Sequence, residues 1–556
     1  MGRKELFVVF FICIFFIILS LISNIRQNIN KPAESVYTFL HNSVSDYPYY
    51  ISFIRQGTDG RLTTIDQFTT EKQTPGFIHV FYLILGQLGR TIGLSPTIIY
   101  FTSRIILGFI LLLVSYKFIA LYFDNYWGRL ITFGLYLTAA SFPKEIHFDG
   151  GFSVWTYLYW WTELDPLNRI TFIPHFLFGH LSLILIIYLF LKNNNIFILG
   201  LCGFITGFVH PPSLGMTYYI FVCLLIIKVI RVIISNDIKE KKFCYEIIRF
   251  ILFFIMSVPS LIYIFYTAKY IFPWTLMGIQ ESLFYFVPII EYILAIGPIF
   301  PLAIIGAVVM IIAYKKEKDD RYTILFLWII IDVLMIPVSE LIHYSSLNNI
   351  LPTFSNIRFL SMMVHLPLSI FSGILLIRLY KKNIQYFSVV LFIYLIMTLP
   401  LFYNSIKLQY ANNPLINKYV YVERNIAESI NFINNNERDK TVLANEYINQ
   451  LFPLFGSSKI YFGQTIYTDN NQQKKAEIEK ILSGSIDDCD FHQFIIDNKI
   501  EYILVSDKKE KDAFNKFKSI NLRKEYPPIE SKFPIVYRIE QLKEMKDICV
   551  NERSPL

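Results

Sequence analysis

The sequence predicts a polytopic α-helical membrane protein of about eleven spans, with a soluble α/β domain at its C-terminal end. Three observations predict it. Hydrophobic residues make up 54% of the 556 and charged residues only 17%, a balance too apolar for one soluble globule. Apolar runs long enough to cross a bilayer recur from Met1 to about Phe402. From Tyr403 to Leu556 the chain turns Lys-, Glu- and Asn-rich, with 22 basic and 22 acidic residues. The expected domains are therefore a membrane module over 1–402, with long outer loops at 26–97 and 143–171, and an extracytoplasmic α/β domain over 403–556.

A helix needs about 17–25 apolar residues to cross roughly 30 Å of hydrocarbon. Such runs fall at 5–25, 98–123, 126–142, 172–192, 196–210, 213–233, 247–267, 288–313, 322–338, 358–379 and 384–402. The run 196–210 is short and ends in His210-Pro211-Pro212. The first follows Arg3-Lys4 and has no small-x-small cleavage site after it, so it reads as an uncleaved signal anchor with its amino end inside.

The net charge of +8 belongs wholly to the membrane part, with 29 basic against 21 acidic residues. A basic excess beside apolar spans marks cytoplasmic loops, and no basic stripe points to nucleic acid. The clusters at 125–129, 192–195, 239–242, 315–321 and 381–382 then share one side. An odd number of spans puts the tail outside, provided that 76–93, which carries Gln87 and Arg90, lies along the surface as an interfacial helix. The expectation is a multi-pass plasma-membrane protein with a cytoplasmic N-terminus.

The tail reads as a helix near 419–434, strands at 441–445 and 459–464, helices at 472–483 and 488–498, and strands at 502–506 and 533–539. It contains no catalytic motif. Cys489 and Cys549 share it, and an oxidising compartment would permit their pairing.

The first outer loop is the most informative stretch. Asp46 sits where a short helix would begin, with Tyr50 four residues on and Ile51, Phe53 and Ile54 supplying an apolar side. The plain reading is a capped surface helix. The loop continues through Gln56-Gly57, then Glu71-Lys72 and Pro75, into the amphipathic run 76–93.

In order and spacing these elements resemble the GT-C fold glycosyltransferases, especially the branch of protein O-mannosyltransferases and the lipid A aminoarabinose transferase. The run 96–123, with Arg104 inside it, resembles the next span of those enzymes; the likeness covers roughly the first 150 residues. It implies a hexosyl or pentosyl transferase that takes sugar from a polyprenyl-phosphate donor to an acceptor hydroxyl on a lipid, glycan or protein. In that family the first-loop acidic residue acts as catalytic base, which carries over to Asp46. A sugar phosphate already has a good leaving group, so the enzyme chiefly deprotonates and orients the acceptor for an inverting displacement.

The second loop opens with Pro143 to Gly151, where oligosaccharyltransferase-like members carry a metal-binding carboxylate motif. This chain offers Asp149, with Glu145 four residues earlier and no adjacent acidic pair. No cofactor is required, and the departure weighs against a divalent metal, which stays an alternative. Asp149 is a second catalytic candidate, its plain reading being an Asp-Gly-Gly turn.

For the leaving phosphate, Lys72 and Arg358 are the cations at the outer interface, although Arg358 could equally anchor its span by snorkelling. Tyr50, Glu71, His210 and His343 complete the substrate-binding candidates; both histidines also fit as turn or rim residues. Asp332 lies in mid-span and is left unassigned. The rival from another class is a transporter or flippase of lipid-linked or envelope precursors, which would gather charges in mid-membrane within two related halves. Here the acidic residues crowd into the outer loops instead.

Overall fold

The computed structural model describes every residue except 1, 41–42, 149–150, 236–239, 282, 284, 286, 314–318, 347–353, 361, 410–413, 465, 528–532 and 543–556. Two compact units emerge. The first comprises 1–23, 102–265 and 281–411; the second comprises 24–101, 266–280 and 412–556. The expected division after residue 402 grouped the first outer loop with the spans, whereas the compact units group it with the tail.

The protein is a polytopic helical membrane protein. Among the described residues six helices are long and apolar enough to cross a bilayer, and eight if two bent pairs each count as one span. The expected eleven are not reached. Each expected run does coincide with helix, but Tyr126–Thr138 and Ile196–Val209 are short, and His365–Lys382 ends in Lys381 and Lys382. The run expected as one span at 288–313 is broken instead. Ile289–Ile296 and Ile299–Ile312 meet at 86°. Gly297 takes φ +86 there, and a Cβ on it would come within 1.9 Å of the Ala140 carbonyl oxygen. Pro298 then removes a helical donor. The helix Val80–Ile92 has 13 residues, about 20 Å at 1.5 Å per residue.

Several polar residues within the first unit's helices are paired. Glu5 meets Arg129 at 2.7 Å and accepts from the Tyr116 hydroxyl at 2.7 Å. Arg104 donates twice to the Thr171 carbonyl, at 2.9 and 2.7 Å. Asp332 is fully buried and accepts from the Tyr292 hydroxyl of a neighbouring helix. Ile196–Val209 packs through Gly200, Gly203 and Gly207, whose missing side chains make room for Met256, Phe253 and Ser260 of Glu240–Tyr270. The loop over 143–171 begins with a hairpin, Pro143–Phe148 against Gly151–Thr156.

The second unit is α/β. Its five-stranded sheet runs Lys459–Ile460, Thr441–Leu443, Tyr502–Val505, Ile535–Leu542, Ile520–Tyr526 in spatial order, the first three parallel and the rest antiparallel. The strand Ile520–Tyr526 and the helix Glu446–Phe455 have no counterpart in the sequence reading. The expected helix over 419–434 starts later, at Arg424–Asn436, because Tyr421–Glu423 is a strand paired to Ser35–Tyr37. Cys489 is disulfide-bonded; Cys549, the partner an oxidising compartment would permit, lies outside the described residues.

Candidate active site

In the second unit the helix Asp46–Thr58 begins on Asp46 itself, whose backbone N–H bonds the Ser43 carbonyl at 3.0 Å. Asp46 is half-buried and sits at the positive end of the helix dipole. Close backbone packing fixes this helix against Val80–Ile92: a Cβ on Gly57 would lie 2.0 Å from the Leu83 carbonyl oxygen, and one on Gly86 1.9 Å from that of Ile54. Any larger residue would drive the two apart. From the other side Arg55 donates to the Pro453 and Leu454 carbonyls at 3.0 and 2.5 Å. The base candidate therefore rides on a helix clamped on both flanks.

Tyr50 is only 7% exposed and stacks on Tyr82 at 4.8 Å, inside an aromatic nest with His79. Its packing is that of a core residue supporting the helix. Tyr49 stacks face to face on Tyr467 at 3.5 Å. Burial first, then the charges of Asp66, Tyr50 and Asp46, hold the Tyr49 phenol protonated well above its usual range.

Glu71 and Lys72 part company. Glu71 ion-pairs with Lys474 at 2.5 Å and accepts from the Thr69 hydroxyl. Burial works to raise its carboxyl, but these two partners hold it below the usual carboxylate range. Lys72 is exposed and makes no ion pair among the described residues. The Lys474 ammonium also lies 4.9 Å from the Tyr461 ring centre.

Asp66 is a buried carboxyl that the sequence does not single out. Its Oδ1 accepts from the Phe68 N–H at 2.8 Å, and Gln73 brackets its backbone at 2.7 and 2.8 Å. Burial, opposed by the Phe68 bond and Lys474 and reinforced by Glu71, pushes it up to about 7. That value lies above the roughly 3.9 of an unfolded chain, so the native state holds the extra proton between the two. The resulting stability is full below pH about 4 and is lost as pH rises through about 7. Asp66→Asn keeps an oxygen for Phe68, so it should flatten that slope and raise stability at pH 8 by up to about 4 kcal/mol. Thermal unfolding of the full chain across pH 4–9 checks it; an unchanged slope in the variant would refute the assignment.

In the first unit two expected residues come together around Phe176. The Arg358 guanidinium lies over its ring at 5.6 Å, and the His210 ring is 4.7 Å away. Arg358 ion-pairs with Glu281, so an anionic ligand there must compete with a carboxylate. His210 is buried, with Nδ1 at 2.8 Å from the Ser213 hydroxyl, and Gly179 leaves room for its ring. His175 and His180 complete a three-histidine cluster, their rings 5.9 and 6.0 Å from that of His210. His180 Nε2 lies 3.0 Å from Glu163 Oε1, both side chains almost wholly buried. His343 stands apart from this cluster, at the end of Asp320–His343 against Tyr344. Asp149 lies outside the described residues. No group of three or more His, Cys, Asp or Glu among the described residues is arranged to hold a metal.

No protein-family model matches the sequence, and no curated sequence is similar to it; the likeness lies in the fold. Over 96% of this chain and 74% of the other, it superposes on the archaeal oligosaccharyltransferase AglB from Archaeoglobus fulgidus, solved with an inhibitory peptide and a dolichol-phosphate, with TM-score 0.52 and 9% identity. ArnT from Cupriavidus metallidurans, bound to undecaprenyl phosphate, matches over 96% of this chain and 98% of its own, with TM-score 0.50 and 11% identity. The arabinofuranosyltransferase AftD from Mycobacteria matches 97% of this chain with TM-score 0.53 and 9% identity, and the chain spans 40% of its length.

This is the GT-C fold. Sequence similarity carries none of that likeness at 9–11% identity, yet the helix-start position expected for Asp46 is where the GT-C chain puts it. The residues that sequence reading missed in the GT-C chain, Asp66, Glu163, His175, His180, Glu281 and Lys474, matter through burial and partners. Lone polar residues give little signal of either. His175 and His180 do fall at the start of the run 172–192, five residues apart, which is the one trace of the cluster along the chain.

Proposed function

We propose that the chain is a membrane glycosyltransferase moving a hexosyl or pentosyl group from a polyprenyl-phosphate donor to an acceptor hydroxyl on the extracytoplasmic face. The observation that carries this reading is the GT-C fold, shared over nearly the whole length of ArnT, a protein solved with undecaprenyl phosphate. The dolichol-phosphate held by AglB supports the same class of carrier. The basic clusters support a cytoplasmic N-terminus at the plasma membrane, with the tail outside.

In this reading Asp46 takes the proton of the acceptor hydroxyl as its oxygen attacks the anomeric carbon. The glycosidic bond forms, the bond from that carbon to the phosphate oxygen breaks, and the phosphate leaves on its lipid with the bonding electrons. Lys72 is the phosphate contact favoured by the structure's pairing pattern, since Lys474 occupies Glu71 and leaves the exposed ammonium beside it for an outside anion.

The full chain in lipid nanodiscs, supplied with polyprenyl-phosphate-linked sugar, tests the proposal. Mass spectrometry should show a glycosylated polyprenyl phosphate bound, and its conversion to the free lipid phosphate on addition of acceptor. Translocation of the intact donor across proteoliposomes without loss of its sugar would instead establish the transporter reading.

A further inference from the structure

The first unit holds a second polar site, far along the same helices from the histidine cluster. A cavity of about 730 Å³ opens between the end of Pro174–Leu191, the end of Pro211–Ser235 and the starts of Glu240–Tyr270 and Asp320–His343. Ser213, beside His210, and Lys228, in the cavity wall, lie fifteen residues apart on one helix, which is about 22 Å. The two sites are therefore at different levels of the bundle.

The cavity's charges are almost all spoken for. Lys228 bridges Glu246 at 2.6 Å and Asp320 at 2.5 Å, and Arg321 pairs with Asp319 at 2.6 Å. Arg249 is the exception. It is 4% exposed, yet it meets no carboxylate among the described residues. One terminal nitrogen donates to Asn193 Oδ1 at 2.6 Å and the other to the Phe190 carbonyl at 3.5 Å, while the buried Nε donates to nothing among the described residues. The rings of Phe190 and Tyr245 lie 5.1 and 6.0 Å from the guanidinium carbon and keep the group in one place. An arginine buried in a cavity wall with an unused donor and no counter-charge among the described residues is a poor outcome for folding alone, because a buried cation is costly unless paired.

We propose that this cavity binds a phosphate group, with Arg249 as its principal contact, and that the group belongs to an anionic phospholipid. Phosphate suits a planar fork with an open N–H edge, and charge-assisted bonds of this kind are the strong ones. One negative charge also balances the described set, since among the described residues Lys228, Arg231, Arg249 and Arg321 outnumber Glu246, Asp319 and Asp320 by one. The lipid source follows from what lies next to the cavity. Ile230, Ile233 and Ile234 below Lys228, and Ile248 and Ile251 beside Arg249, are each at least 49% exposed, forming an apolar surface for acyl chains on the very helices that line the polar site. The inference is independent of the proposed glycosyl transfer.

Native mass spectrometry of the full chain, with phosphatidylglycerol or phosphatidylcholine added to the detergent, tests it. Wild type should retain phosphatidylglycerol about tenfold better, and Arg249→Gln should bring the two lipids to within about twofold. Thermal protection by millimolar inorganic phosphate, present in wild type and lost in Arg249→Gln with no lipid preference in either, would keep the phosphate site and assign it a free ligand. Equal retention of both lipids by wild type, together with no protection by phosphate, overturns the proposal. That comparison needs no variant, so it decides the matter even where Arg249→Gln does not fold.

Discussion

Replacing Asp46 by asparagine is expected to slow sugar transfer by about 10²–10⁴-fold while donor binding persists, the usual cost of losing general-base assistance. The substitution keeps the shape at the first position of the helix Asp46–Thr58, and the clamps on that helix lie elsewhere, at Gly57, Gly86 and Arg55. Insertion and thermal stability should therefore match wild type. Turnover measured with a lipid-linked donor, alongside donor retention by mass spectrometry, separates chemistry from binding. Near wild-type turnover in Asp46→Asn with a dead Asp149→Asn would move the base to Asp149. Full turnover in both would remove the base from these loops altogether.

The largest loss of stability is expected at Glu163. Its carboxylate lies 3.0 Å from His180 with both side chains almost wholly buried, and removing one partner of such a pair typically costs about 3–5 kcal/mol. Glu163→Ala should lower the thermal midpoint of the detergent-purified chain sharply. Adding His180→Ala should recover part of that loss, because the stranded imidazole goes with it. A Glu163→Ala protein as stable as wild type would mean the contact carries no weight. Glu163→Gln, which keeps the shape but removes the charge, should fall between wild type and Glu163→Ala.

How far the fold could be read along the chain depended on the length scale of the signal. A bilayer imposes a long apolar run, so the positions of the helices were visible from hydropathy alone. The bend at Gly297-Pro298 was not, although both residues are breakers, because an unbroken apolar run hides a local turn. The strand Tyr421–Glu423 reads as helix along the chain, since its partner, Ser35–Tyr37, lies far away in sequence and no local pattern announces the pairing. The same reason explains the site. Asp46 could be found because helix starts have a local grammar, and the Glu71-Lys72 pair because it is contiguous. Lys474 and Glu281, which engage Glu71 and Arg358, are set by tertiary contact alone.

The clamp that Pro453 and Leu454 place on Arg55 has a consequence for biosynthesis. The two partners are 398 and 399 residues apart, and everything between them, including most of the spanning helices, must be made first. At about 5–20 residues per second the ribosome needs roughly 20–80 s to cover that interval. For that time the segment bearing Asp46 waits without the carbonyls that hold Arg55, so this clamp closes only once the chain has been made through Leu454.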